Sequence, residues 1–267
     1  MNREEFTSAL IEQFSKGVAH LSYSALLRFK QSPKSFIDYK VNPKEQTDSM
    51  KLGTLVHCLV LQPEDFKKKY VTDTDICNEI GGAKPRATKA YKEWAGAQTS
   101  EIIKQDVLDL ATMMADSVKN NPAASWVLSK AESFEVKMEF EHEGLKFKSF
   151  LDGYGQVILD LKICRDAAPD KFRRVIINDG YYLQAGVYEA SLQGEILPYY
   201  IIAVDQSGGV SVHELEDDLI DFGMQEFSRL SREFKDCLNT NSFHSSYEYR
   251  APMPNGIYNM SRPPYLS

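Results

Sequence analysis

Three charged residues at the ends of two short apolar runs form the chemical centre of this sequence. In residues 145–162, LKFKSFLDGYGQVILDLK, Asp152 closes the first run and Asp160-Leu161-Lys162 closes the second. Gly153-Tyr154-Gly155 is predicted as the tight turn between two strands. Strand side chains alternate, so Asp160 and Lys162 share a face while Leu161 points into the core. Unpaired charge beside an apolar sheet is costly, and a cation gathered by the two carboxylates would offset that cost. Hard oxygen donors of this kind suit Mg2+ or Mn2+. A hairpin with an exposed ion pair accounts for the same residues.

Further polar residues fall at helical spacing. His57 lies four residues after Gly53 in the apolar stretch MKLGTLVHCLVL, so both occupy one helix face. It reads either as a satisfied core histidine or as a ligand, and the glycine permits close approach of another backbone. Gln184 and Tyr188 are an i, i+4 pair in YYLQAGVYEASL and could share a ligand, or be a half-exposed amide beside a core ring. Glu135 stands in the run Phe134–Glu141, where apolar and charged residues alternate. That period of two puts Glu135 with the solvent-side acids, outside the candidate site.

The elements that must position these groups follow from periodicity and breakers. An amphipathic helix is predicted over residues 1–17, and a second, capped by Ser22 or Ser24, ends at Gln31-Ser32-Pro33. A short helix bearing Phe36 and Tyr39 follows, then the helix Met50–Leu61. Residues 66–92 are charged and weakly periodic, with Gly81-Gly82-Ala83-Lys84-Pro85 as a surface loop, an ordinary connection or a cover for a channel. Residues 101–130 read as helix, with Trp126 on a last turn. Beyond Lys162, helices are predicted from Pro169 to about Ile177 and over Tyr181–Leu192, broken by Asn178-Asp179-Gly180. The apolar run 197–205 suits a strand buried on both faces, and Gly208-Gly209 turns it into VSVHEL. A long helix, Glu216–Leu238, turns Leu219, Phe222, Phe227, Leu230 and Phe234 inward. The tail from Asn239 reads as extended, over the surface or against a neighbouring subunit.

With 267 residues, 43% hydrophobic and 26% charged, the chain has the composition of a globular protein able to bury a sizeable core. No 18-residue apolar run exists, so no membrane partner is expected. The four cysteines are scattered without a CxxC pair, and the N-terminus lacks an apolar signal core. Both point to a reduced, cytoplasmic protein. The net charge of −7 opposes a nucleic-acid partner in sum. It does not oppose a local basic groove. Two clusters could form one: Lys84, Arg86, Lys89 and Lys92, then Arg165, Lys171, Arg173 and Arg174.

The order of motifs resembles a known group. LSYSALLRFKQSPKSF, GTLVH with His57, FLDGYGQVILDLKICRDAAPDKF with Asp152, Asp160 and Lys162, and GYYLQAGVYEASL with Gln184 and Tyr188 are similar to the exodeoxyribonuclease VIII (RecE) branch of the PD-(D/E)xK nuclease superfamily. The resemblance covers roughly residues 20–195. Leu151 stands where the motif's name has proline, Asp160 where many members have Glu, and Ile163-Cys164 where a threonine pair is common.

The resemblance implies an α/β fold with a restriction-endonuclease-like core: a mixed central β-sheet flanked by helices, plus an N-terminal helical portion. One nuclease domain over 1–267 is expected, mainly helical and channel-lining over 1–130, catalytic over 131–240, and extended over 241–267. It also implies a Mg2+-dependent exonuclease acting on linear double-stranded DNA, 5′→3′, exposing 3′ single strands for recombination or repair. One or two Mg2+ or Mn2+ ions per site would be held by His57, Asp152, Asp160 and the carbonyl of Leu161. Lys162, Gln184 and Tyr188 would serve the attacking water and the developing charge. A homo-oligomeric ring, trimer or tetramer, and a single-strand annealing protein are the implied partners. No iron–sulfur cluster is expected, because Ser32 precedes Pro33 where cluster-bearing relatives have Cys, and no cysteine follows Cys237. A non-catalytic DNA-end- or partner-binding module on the same fold is the alternative.

Overall fold

The computed structural model describes residues 2–43, 45–253 and 256–258. Helices dominate the first half. α1 (Arg3–Ser15) starts with a capping box between Asn2 and Glu5. α2 (Tyr23–Gln31) is capped by Ser22, and α3 (Pro33–Val41) by Ser32 with Pro33 at its first position. Pro33 therefore starts a helix as much as it stops one, since its missing N–H falls where no intrahelical partner exists. α4 (Asp48–Leu61) carries His57.

The weakly periodic stretch is more ordered than its sequence suggests. It folds as α5 (Phe66–Lys69), β1 (Tyr70–Thr72), α6 (Thr74–Ile80) and α7 (Lys89–Ala97), closing on β2 (Glu101–Ile103). β1 and β2 pair in parallel as a two-stranded sheet, so the intervening residues form one excursion from it. Buried Asp73 ties that excursion together, accepting from Arg86 Nε at 2.6 Å, Arg86 Nη2 at 3.1 Å and Tyr91 OH at 3.1 Å. Arg86 of the first basic cluster is thus a structural partner. α8 (Gln105–Asn120) and α9 (Pro122–Leu128) follow, and Trp126 is exposed.

The second half builds a five-stranded mixed sheet in the order β3-β4-β5-β6-β7, flanked by helices as expected from the sequence. Its strands are β3 (Ala131–His142), β4 (Leu145–Gly155), β5 (Ile158–Cys164), β6 (Tyr199–Asp205) and β7 (Val210–Leu215). Between β5 and β6 run α10 (Pro169–Asn178) and α11 (Tyr181–Ser191), the crossover that makes β5 and β6 parallel. α12 (Asp217–Thr240) completes this half. The turn expected at Gly153-Tyr154-Gly155 lies two residues later, because Gly153 and Tyr154 pair with Leu159 and Ile158 and extend β4.

Two apolar clusters cover the two faces of the sheet. One joins α1–α3, α11 and α12 to β4 residues such as Phe147 and Leu151; the other joins α4, α8 and α9 to Leu159, Leu161, Ile202 and Val204. Phe222, expected inward on α12, is about half exposed. α12 turns Phe227, Leu230 and Phe234 into the core as expected, with Ile220 and Gly223 beside them. The expected extended tail packs on its own chain through Arg250: Phe243 is buried beside Phe29, Phe36 and Phe234. The rest of that expectation falls largely outside the described residues.

Candidate active site

The sheet opens where the acids stand. β4 and β5 pair only at Gly153↔Leu159 and Tyr154↔Ile158, then part. Asp152 bridges the gap, its Oδ2 accepting from Leu161 N at 2.7 Å. A strand residue's N–H and C=O face the same neighbour, so the Leu161 carbonyl also faces this gap. Asp160, 1% exposed, lies on the α11 side of β5. Its Oδ1 accepts from Gln184 Nε2 at 3.0 Å, and its Oδ2 stands 2.5 Å from Lys162 Nζ. Lys162 in turn lies 4.8 Å from the centre of the Tyr181 ring, so a carboxylate and a π-face together fix the ammonium.

His57 reaches in from α4. Its Nδ1 is 3.7 Å from Asp152 Oδ2 and 3.9 Å from Glu135 Oε1. Ligand atoms of His57, Glu135 and Asp152 all fall within 4.8 Å of one another, close enough to share one ion. Glu135 is the residue that strand alternation misassigned. Its φ of 55° is left-handed, and a bulge lies just before it between Ala131 and Ser133. That conformation costs a non-glycine residue about 1–2 kcal/mol. It turns Glu135 toward His57 and out of the solvent-side row. Between the Phe134↔Gly153 and Val136↔Leu151 pairs, Glu135 and Asp152 face each other across the ladder. Like charges so placed repel, which a cation between them would reverse.

Gln184 and Tyr188 are buried, and the Gln184 amide nitrogen and the Tyr188 hydroxyl bind protein. Gln184 Nε2 bridges Asp160 and Tyr188 OH (2.8 Å), and Tyr188 OH donates to the Phe150 carbonyl at 2.7 Å. The pair therefore pins α11 to both acid-bearing strands. Gln184 Oε1 has no hydrogen-bond partner among the described residues. All the sequence-derived candidates, His57, Asp152, Asp160, Leu161, Lys162, Gln184 and Tyr188, line one cavity of about 360 Å3.

The electrostatics are those of a site short of positive charge. Burial pushes Asp152 up to about 6, aided by Asp160 and opposed by His57 and Lys162. Burial pulls His57 down, but the carboxylates of Asp152 and Glu135 outweigh it and raise the imidazole above its ordinary value. Burial likewise works against the Lys162 ammonium, and Asp160 with Asp152 more than restores it. Carboxylates, a carbonyl and an imidazole around one opening fit a hard divalent cation of the Mg2+ or Mn2+ kind.

Comparison with known proteins identifies a family and a similar fold. The family described as "PDDEXK-like domain of unknown function" (DUF3799) matches residues 22–248. The fold is similar to that of a "Putative exonuclease" from Eubacterium rectale, with a TM-score of 0.59 and 15% identity over 83% of this chain and 82% of that one. A second solved structure, SSO0001, is 14% identical over 77% of this chain and 96% of its own, at a TM-score of 0.29. No curated protein sequence matches the chain.

Proposed function

The chain belongs to that PDDEXK-like family, and from this premise we propose that it is a metal-dependent exodeoxyribonuclease of the RecE kind, degrading linear double-stranded DNA from its ends. One observation carries the reading: Asp152 and Asp160 line one cavity where β4 and β5 part, with Lys162 and His57 beside them. PD-(D/E)xK nucleases use divalent metals, and the ligands here would be Asp152, Asp160, the Leu161 carbonyl, His57 and Glu135. Bound there, Mg2+ or Mn2+ would polarise the scissile phosphate and neutralise its charge.

The protein's own groups supply the rest. Lys162, kept protonated by Asp160 and Asp152, places positive charge where the phosphorane oxygens develop negative charge. Gln184 fixes the carboxylate plane of Asp160 through Nε2 and keeps Oε1 free to accept from the attacking water. Tyr188, its pKa held far above the ordinary phenol by burial, stays neutral and serves as a rigid link to β4. The same reading carries 5′→3′ polarity, a ring-shaped trimer or tetramer, an annealing protein taking the 3′ strand, and action in the cytoplasm.

Incubation with linear and covalently closed duplexes in Mg2+, Mn2+ or EDTA tests the proposal. Linear DNA should shorten in metal, closed circles should persist, and Asp160→Ala should abolish the loss. DNA ends bound but uncut in every metal would instead identify a non-catalytic end-binding module.

A further inference from the structure

A second hollow adjoins the site where β5 ends. It has a volume of about 650 Å3, and its lining holds the cations Arg165 and Lys171, the acids Asp166 and Asp179, and an apolar wall of Ile163, Val175 and Tyr181 with Cys164. Ile163 is a wall of both cavities, and Tyr181 lies against Lys162, so the two open toward each other. Its cations are Arg165 on the loop after β5 and Lys171 on α10.

Both are exposed, and neither has a carboxylate within 4.0 Å among the described residues. Arg86, Arg229, Arg232 and Arg250, by contrast, are each paired. The nearest acid in sequence, Asp166, is turned to the Ala168 N–H at 2.9 Å. On a chain of net charge −7, unpaired cations gathered beside a buried acidic site mark a place for a polyanion.

We propose that this hollow is a backbone subsite, in which Arg165 and Lys171 hold phosphates of the nucleic-acid strand next to the scissile one. The inference rests on the nuclease reading and specifies where the strand runs: past Lys162 and Tyr181, along the N-terminal turns of α10. Arg165 offers a planar fork matched to a phosphate, and Lys171 a point charge. Ile163, Val175 and Tyr181 give the sugar and base an apolar wall.

Binding without turnover separates this proposal from the activity it rests on. Affinity for a fluorescein-labelled linear duplex, with Ca2+ in place of Mg2+, is followed by anisotropy against salt concentration. Each phosphate contact contributes about 0.7–0.9 to the slope of log affinity on log salt. R165Q/K171Q should therefore lower the slope by about 1.4–1.8 relative to wild type. K67Q/K119Q, which removes the same charge elsewhere, should keep the wild-type slope, with circular dichroism confirming that both variants fold. Equal slopes for wild type and R165Q/K171Q, an equal fall in K67Q/K119Q, or no duplex binding by wild type each overturns the subsite. Cleavage of linear DNA alongside such a result leaves the nuclease reading standing. Metal-independent inertness with the expected slope change sinks the nuclease reading and keeps the subsite.

Discussion

At the scale of single residues, Asp160 carries the most constraint. It is buried, bonded by Gln184 and paired with Lys162, so Asp160→Asn keeps its volume and removes its charge. The loss of a cation-binding carboxylate should cost roughly 10³-fold or more in single-turnover cleavage at saturating metal. A variant within tenfold of wild type would place the chemistry elsewhere. Glu135 calls for a different readout. As a shared ligand, its change to Gln should weaken Mn2+ binding by about tenfold or more in a calorimetric titration. Unaltered affinity would reduce Glu135 to a partner of His57. The sequence contained the signal for Glu135, though not in alternation. The two-residue turn Glu143-Gly144 sets the hairpin register, and that register places residue 135 opposite Asp152. What could not be read was the bulge at Ala131/Ser133 and the left-handed backbone that aims the side chain.

At the scale of elements, the site depends on how closely α11 meets α12. A Cβ on Gly223 would come within 2.0 Å of the Tyr182 carbonyl, and one on Gly186 within 2.4 Å of the Gly223 carbonyl carbon. Only glycine lets the backbones approach this far. Gly223→Ala should therefore destabilise the protein by about 1–3 kcal/mol. By shifting Gln184 and Tyr188 it should also slow cleavage more than a surface substitution of equal thermal cost. Thermal denaturation alongside the cleavage rate checks both. The excursion between β1 and β2 gives a pH prediction. The bond from Arg86, then that from Tyr91, hold Asp73 below the usual carboxylate range despite its burial. A depressed folded-state value contributes stability above the unfolded value of about 3.9, and that contribution is lost as pH falls through the folded one. Asp73→Asn should cost about 1–3 kcal/mol near neutrality. Its deficit in melting temperature should close below about pH 4, and a deficit unchanged at acid pH would contradict the linkage. Of this excursion only the exposed loop at residues 81–84 was legible, because short helices held by one buried carboxylate leave no periodic trace. The long strands and α12, whose patterns run over many residues, were read nearly to their ends.

At the scale of the whole molecule, the tail closes the fold on itself. Phe243 joins Phe29, Phe36 and Phe234 in an aromatic cluster, and Lys34 N donates to the Ser245 carbonyl at 3.0 Å. Arg250 donates to the carbonyls of Phe29 and Lys30 at the end of α2 and pairs with Glu233 of α12. A segment read as extended over the surface or against a neighbouring subunit is therefore, as far as Arg250, a brace between the N-terminal helices and α12, and α12 supports α11. The composition of the tail, rich in Ser, Tyr and Pro, concealed this, since one phenylalanine and one arginine carry the attachment. Phe243→Ala should cost about 3–5 kcal/mol. Against a total of about 5–15 kcal/mol, that is a large share of the stability of the protein. A chain ended after Ser242 should fare at least as badly, whereas one ended after Met253 keeps Phe243, Ser245 and Arg250 and should melt well above it. Equal melting temperatures for the two truncations would show that the brace carries no load. Should the shorter chain fold but cut linear DNA poorly, the defect would trace through α12 and α11 to the bond between Gln184 and Asp160.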